Sequence, residues 1–196
     1  MSLAKILLCL DTDPQPSVFD SVVAVDAGVD HLFRHSGVTP DQVRDLVYGA
    51  MFTRGPADLK NSAVFIGGSD VEAGESLLAK ARDCFFGPMR VSLMLDSNGA
   101  NTTAAAAVLS ARKHVPLKDA VVTVLGATGS VGKRVVRLLA REHAKVRVAS
   151  RQLGRAQQVC VSIKASVDEA DVQAIETRDD DSVRAAVADA SIVIAA

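Results

Sequence analysis

Two stretches of this chain carry residues whose types and order could do chemistry. The first is residues 121–140, VVTVLGATGSVGKRVVRLLA. A hydrophobic run leads into Gly126-Ala127-Thr128-Gly129-Ser130-Val131-Gly132 and then into a helical pattern. That strand–turn–helix context is the one a dinucleotide-binding loop requires. Gly126 allows a tight turn, Gly129 lets backbone N–H groups approach a pyrophosphate at the helix start, and Gly132 lets helix and strand pack closely. The spacing is GxxGxxG rather than the commoner GxGxxG, so the context carries the reading. The next apolar run, KVRVAS, ends in Ser150-Arg151, where an NAD site would place an acid for the ribose 2′-hydroxyl. A hydroxyl and a guanidinium suit a 2′-phosphate instead. NADP is therefore the expected cofactor, with NAD as the alternative. Arg155 could add charge there but reads more readily as a solvated helix residue.

The second stretch is residues 94–107, MLDSNGANTTAAAA. It is one of three apolar runs that end in polar, acidic or glycine-rich tips. Residues 6–10 end in DTD with PSVFD after it, 63–66 in GGSD, and 91–95 in DSNGANTT. In a parallel sheet such tips lie at the carboxyl edge, where α/β proteins bind ligands. Ser97, Asn98 and Asn101 suit a loop and a helix cap, Gly99 gives backbone freedom, and Thr102 and Thr103 would present hydroxyls and amides at a helix start. A well-capped helix explains part of this pattern. Three tips converging on one edge argue for a small-molecule site as well.

The elements that must position these residues are an alternation of strands and helices. Strands are expected at 6–10, 63–66, 91–95, 121–125, 146–149, 172–175 and 192–195, and helices at 18–27, 40–48, 72–83, 102–114, 131–142, 154–162 and 182–189. The strands are continuous Val/Ile/Leu runs, as expected where helices cover both faces of a parallel sheet, which makes the class α/β. Pro116 and Lys118–Asp119 suggest a boundary, giving domains 1–115 and 116–196. The closing ASIVIAA reads as a core strand with nothing after it, so the chain is expected to be part of a longer gene product.

Bulk properties exclude several classes. A net charge of -1 gives no footprint for nucleic acid or a membrane surface, and 48% hydrophobic with 23% charged residues describes a folded soluble protein. No run is long enough to span a bilayer, and the opening MSLAKILLCLDTD is expected to be a first strand rather than a signal peptide. Cys9, Cys84 and Cys160 are widely spaced and read as buried free thiols in a reducing cytoplasm. His31 and His35 could share a helix face, but no third ligand is evident, so no metal is expected.

The tip and loop motifs together, DTDPQPSVFD, FTRG, FIGGSDVEAGE, FFGPMRVSLMLDSNGANTTAAA and the later glycine loop, resemble the methylene-tetrahydromethanopterin dehydrogenases of bacterial one-carbon metabolism. The resemblance covers essentially the whole chain. It implies an N-terminal pterin-side domain with a parallel sheet, a C-terminal Rossmann domain for NADP that is incomplete here, and a cleft between them. It implies oxidation of methylene-tetrahydromethanopterin, and in some members methylene-tetrahydrofolate, by a homo-oligomer without metal or flavin. The chain departs from the family's GTGPVG-like loop, having GATGSVG, and members run on past its last residue.

The reaction so implied moves a hydride from the substrate's methylene carbon to the nicotinamide. No proton leaves the substrate, so the site must align carbons, exclude water and stabilise developing positive charge, as a carboxylate could. Asp13, Asp20 and Asp96 are the candidates, with Thr102 beside them; Asp11 could equally be a strand-end cap. Asn98, Asn101 and Thr103 are candidates for hydrogen bonds to the pterin, Arg54 for a carboxylate or carbonyl, and Gly67, Gly68 and Asp70 for shaping its pocket. The rivals are an NADPH-dependent pterin reductase and a non-catalytic or truncated NADP-binding protein. A tetrahydrofolate dehydrogenase/cyclohydrolase is disfavoured, because Tyr48, the only tyrosine, has no lysine a few residues on.

Overall fold

The continuous apolar runs are strands and the segments between them are helices, in a computed structural model that describes residues 3–196. The chain forms two compact units that part between Gly99 and Ala100.

The first unit runs β1 (Ile6–Asp11), α1 (Val18–Asp26), β2 (His31–His35), α2 (Pro40–Phe52), a 3-10 turn at Pro56–Asn61, β3 (Ser62–Gly67), α3 (Val71–Asp83), β4 (Ser92–Leu95) and a last 3-10 turn at Ser97–Gly99. Its sheet has the order β2-β1-β3-β4, and every pairing is parallel. Leu8 and Leu10 of β1 and Val64 and Ile66 of β3 are buried with Val43, Val47 and Met51 of α2 and Leu77 and Ala81 of α3. Local chemistry starts each helix. Ser17 accepts from the Asp20 amide, Thr39 and Gln42 form a capping box ahead of Pro40, and Asp70 accepts from the amides of Glu72 and Ala73.

The second unit runs α4 (Ala100–Arg112), β5 (Val121–Leu125), α5 (Ser130–Arg141), β6 (Lys145–Ser150), α6 (Leu153–Lys164), β7 (Val172–Glu176), α7 (Asp180–Val187) and β8 (Ile192–Ala195). Its parallel order is β7-β6-β5-β8, the strand order of half a Rossmann sheet. A boundary at 115/116 would place α4 in the first domain. The compact units instead place it in the second, because Ala104, Val108 and Ala111 are buried with the β5, β6 and α5 core.

One strand lies outside the expected set. HLFRH, residues 31–35, is a strand at the sheet edge, not the helix face that His31 and His35 could have shared. It has three polar residues in five and is half exposed, so it lacks the apolar continuity of the central strands. Four residues of strand span about 13 Å, so His31 and His35 cannot grip one ion. Among the described residues no cluster of three or more metal-ligating side chains occurs, and no helix is long and apolar enough to cross a membrane.

Candidate functional site

In each sheet the strand order reverses direction at one place, and parallel sheets bind ligands there, outside the carboxyl ends. In the first unit that place is between β1 and β3. The three polar tips meet there and are tied together. The Asp13 carboxylate accepts from the Ser69 amide at 3.0 Å and the Ser69 hydroxyl at 2.8 Å, joining the β1 and β3 tips. The Asn98 amide donates to the Gly68 carbonyl at 2.8 Å, and the buried Ser97 hydroxyl donates to the Gly67 carbonyl at 2.9 Å, joining β3 to β4. Asp11 has the structural role that was its alternative: its carboxylate accepts from the amides of Asp13 (2.8 Å) and Ser17 (3.0 Å) and folds the β1 tip back.

The geometry at Gly68 admits no side chain. Its φ is +97°, and a Cβ there would lie 2.0 Å from Thr12 Oγ1. That hydroxyl is buried with no hydrogen-bond partner among the described residues. Beside it a Cβ on Gly67 would lie 3.2 Å from an Asp20 carboxylate oxygen and 3.7 Å from one of Asp11. Burial pushes the Asp20 carboxyl up from its ordinary value. A hydrogen bond from Ser17 opposes this, while the charges of Asp11 and Asp96 add to it. Asp20 and Asp96 are thus carboxylates of one tight edge, and Asp13 is engaged in holding the edge together. Asp70 is a helix cap. Arg54 is not brought to these tips. It donates to the carbonyl of Asn61, immediately before β3, which places it at the amino edge.

In the second unit the reversal lies between β5 and β8, and the glycine loop follows β5. Gly126 has φ +71°. A Cβ on Gly132 would lie 2.4 Å from the Gly126 carbonyl oxygen and 2.7 Å from Ala127 Cα, so only hydrogen fits between loop and helix. Gly129 is the N-cap of α5 and offers no side chain to the first turn. The amides of Ser130, Val131 and Gly132 therefore have no capping side chain and stand at the positive end of the helix. Thr128, Ser150, Arg151, Gln152 and Arg155 line a hollow of about 400 Å³ beyond the tip of β6. Ser150 is buried and its hydroxyl accepts from the Gln152 amide at 3.2 Å. The residues present fit a dinucleotide: open amides and a glycine cradle for the pyrophosphate, and a hydroxyl with an exposed guanidinium for a ribose phosphate. All nine expected cofactor residues, Gly126 to Gly132 with Ser150 and Arg151, belong to this one edge.

Asn101, Thr102 and Thr103 belong to the second unit, in the first turn of α4. The Asn101 carboxamide oxygen accepts from Arg134 Nε at 2.6 Å, and Arg134 also donates to the Ser130 carbonyl at 2.9 Å. A buried guanidinium thus ties the start of α4 to the start of the cofactor helix. Sequence reasoning missed Arg134, because GKRVVRLLA reads as an ordinary helix with solvated cations. Its place in the apolar periodicity, between Gly132 and Val135, was the available signal.

Comparison with known proteins gives concordant matches. Residues 18–98 match the family described as "Methylene-tetrahydromethanopterin dehydrogenase, N-terminal", and residues 122–196 match "Saccharopine dehydrogenase NADP binding domain". The chain is 44% identical over 194 residues to the bifunctional protein MdtA of Methylorubrum extorquens, covering 98% of this chain and 67% of that one. It is 29% identical to the NAD(P)-dependent methylenetetrahydromethanopterin dehydrogenase of the same organism, covering 92% of this chain and 63% of that one. The chain thus spans about two thirds of the length of these curated relatives. A solved D-isomer specific 2-hydroxyacid dehydrogenase family protein from Aeromonas salmonicida overlaps 98% of this chain and 64% of its own at 14% identity, with a TM-score of 0.33, too loose a likeness to argue from.

Proposed function

We propose a hydride-transfer function for this chain, which belongs to the methylene-tetrahydromethanopterin dehydrogenase family. It oxidises methylene-tetrahydromethanopterin to the methenyl form with NADP⁺, and methylene-tetrahydrofolate is the second candidate substrate. The observation that carries this reading is a conjunction. The first unit matches the N-terminal domain of that dehydrogenase, and the second has a carboxyl edge that fits NADP.

When bound, the cofactor supplies the hydride acceptor at its nicotinamide ring. The chain's own residues do the rest. The first-turn amides of α5 hold the pyrophosphate, and Ser150 and Arg151 hold the 2′-phosphate. The first sheet's carboxyl edge takes the reduced pterin. Asp20 and Asp96 stabilise the positive charge that develops as hydride leaves, and Asp13, through Ser69, keeps the two tips in place. Asn98 at this edge hydrogen-bonds the pterin, and within the second unit Asn101 is oriented by Arg134. No proton leaves the substrate, so no general base is needed. The reading extends to a cytoplasmic homo-oligomer: Cys9, Cys84 and Cys160 are free and buried, as suits a reducing compartment, and a net charge of -1 suits neither nucleic acid nor a membrane surface.

The test is NADP⁺ reduction by the purified protein with both methylene substrates in parallel, followed by nicotinamide absorbance. Turnover with the methanopterin substrate is expected. No turnover with either, while NADPH still binds, overturns the dehydrogenase reading. Within an active enzyme, Asp96→Asn is expected to lower kcat by at least about tenfold and leave NADP⁺ affinity within about twofold. Equal losses in both would remove Asp96 from charge stabilisation.

A further inference from the structure

A second cavity adjoins the cofactor edge and is not explained by it. Between α5 and α6 a groove of about 300 Å³ is lined by Thr128, Lys133, Arg137, Arg155, Gln158 and Ser162, over an apolar floor. Lys133 and Arg137 lie four apart on α5, and Arg155, Gln158 and Ser162 follow one stripe of α6, so the two helices present these groups to one space. No carboxylate lines the groove, and none of its three cations has an ion-pair partner among the described residues. Arg137 adds an independent observation: its Nε is buried and lacks a hydrogen-bond partner among the described residues. A buried donor of that kind is satisfied in native proteins by some acceptor. Thr128 and Arg155 line both this groove and the Ser150–Arg151 hollow, so the two spaces adjoin.

We propose that the α5–α6 groove is a phosphate-binding subsite, with Lys133, Arg137 and Arg155 as its cationic ligands and Gln158 and Ser162 as neutral donors. The inference rests on the NADP reading for one of its two phosphate sources. Either the 2′-phosphate of NADP lies where the hollow meets the groove, with Ser150 and Arg151 on one side and the groove's cations on the other, making Lys133 and Arg137 determinants of NADP over NAD, or a separate phosphate binds beside the cofactor. The chemistry is the same in both: a dianion with several acceptor oxygens meets guanidinium forks and an ammonium.

The experiment titrates NADP⁺, NAD⁺ and inorganic phosphate into the wild type, the double variant Lys133→Gln/Arg137→Gln, and Arg137→Lys, by calorimetry and thermal shift. If the cofactor is the source, the double variant loses at least about tenfold in NADP⁺ affinity and under twofold in NAD⁺ affinity, while Arg137→Lys retains part of the preference. If a separate phosphate is the source, inorganic phosphate further stabilises NADP⁺-saturated wild type, and the double variant loses that increment. Wild-type affinities for both dinucleotides together with an unchanged phosphate response, in a variant of normal circular dichroism, overturn the proposal. Should the double variant not fold, Lys133→Gln alone alters only an exposed side chain and is read in the same way. Failure of wild type to bind either dinucleotide would sink the cofactor reading and leave the phosphate arm to decide the groove.

Discussion

At the carboxyl edge of the second sheet the chain withdraws its side chains. Gly126, Gly129 and Gly132 expose backbone, the first turn of α5 has no capping side chain, and Arg151 and Arg155 line the adjoining hollow. At the carboxyl edge of the first sheet it does the opposite. Asp11, Asp13, Asp20 and Asp96 crowd around Gly67 and Gly68, and their oxygens either knit the tips together or share a partly desolvated space. The same parallel architecture therefore makes an edge for an anion in one unit and an edge suited to a developing cation in the other. Backbone does the first job because amides at a helix start are fixed donors. Side chains must do the second, because carbonyls at strand ends are committed to the sheet and its turns.

Paired glycine substitutions would break this contrast with the largest effects. Gly132→Ala forces a methyl against the Gly126 carbonyl and Ala127 Cα, both backbone and unable to turn aside. A cost of about 1–3 kcal/mol is expected, with NADP⁺ affinity falling by an order of magnitude or more as the loop shifts. Gly68→Ala meets a side chain, Thr12 Oγ1, but adds strain at φ +97°, which costs roughly 1–3 kcal/mol. Its damage should stay in the first unit, leaving NADP⁺ affinity within about twofold. Denaturation and NADP⁺ titration of both variants check this. Equal loss of NADP⁺ binding in the two would mean that the edges do not work independently.

The two edges were not equally legible. Seven of the eight described strands and the helices follow from continuous apolar runs and their punctuation, and the glycine loop was readable from its strand–turn–helix context rather than from its GxxGxxG spacing. At the first edge the residue types were readable, and so was their convergence. Their roles were not, because Asp11 as a cap, Asp13 as a clamp and Asp20 as a partly buried acid are the same residue type, separated only by which amide or hydroxyl each meets. The β2 strand was missed because an edge strand of His, Leu, Phe, Arg and His carries no central-strand signature. Arg54 lies within one of the family motifs, FTRG, yet sits at the amino edge of the sheet, away from the polar tips. Arg134 was passed over because its periodicity gave only a weak signal and its polar partner, Asn101, lies 33 residues away.

The smallest effect tests whether the first edge is held under electrostatic cost. Burial, with Asp11 and Asp96 adding to it, raises the Asp20 carboxyl above its ordinary 3.8, despite the hydrogen bond from Ser17. The folded protein therefore holds that proton more tightly than the unfolded chain. Stability falls as pH rises from 3.8 through the raised folded value, and above that window the whole cost is present. Asp20→Asn removes the charge, so the variant should be modestly more stable than wild type at neutral pH. The difference should shrink as the pH is lowered through the window and vanish below it. Urea midpoints of the two proteins at neutral pH and at mildly acidic pH measure this directly. A variant less stable than wild type at neutral pH would mean that the Ser17 bond outweighs the desolvation. If the expected gain is accompanied by a fall in kcat, the edge carries its carboxylate for the reaction at the expense of the fold, the usual relation between a charge placed for chemistry and the stability around it.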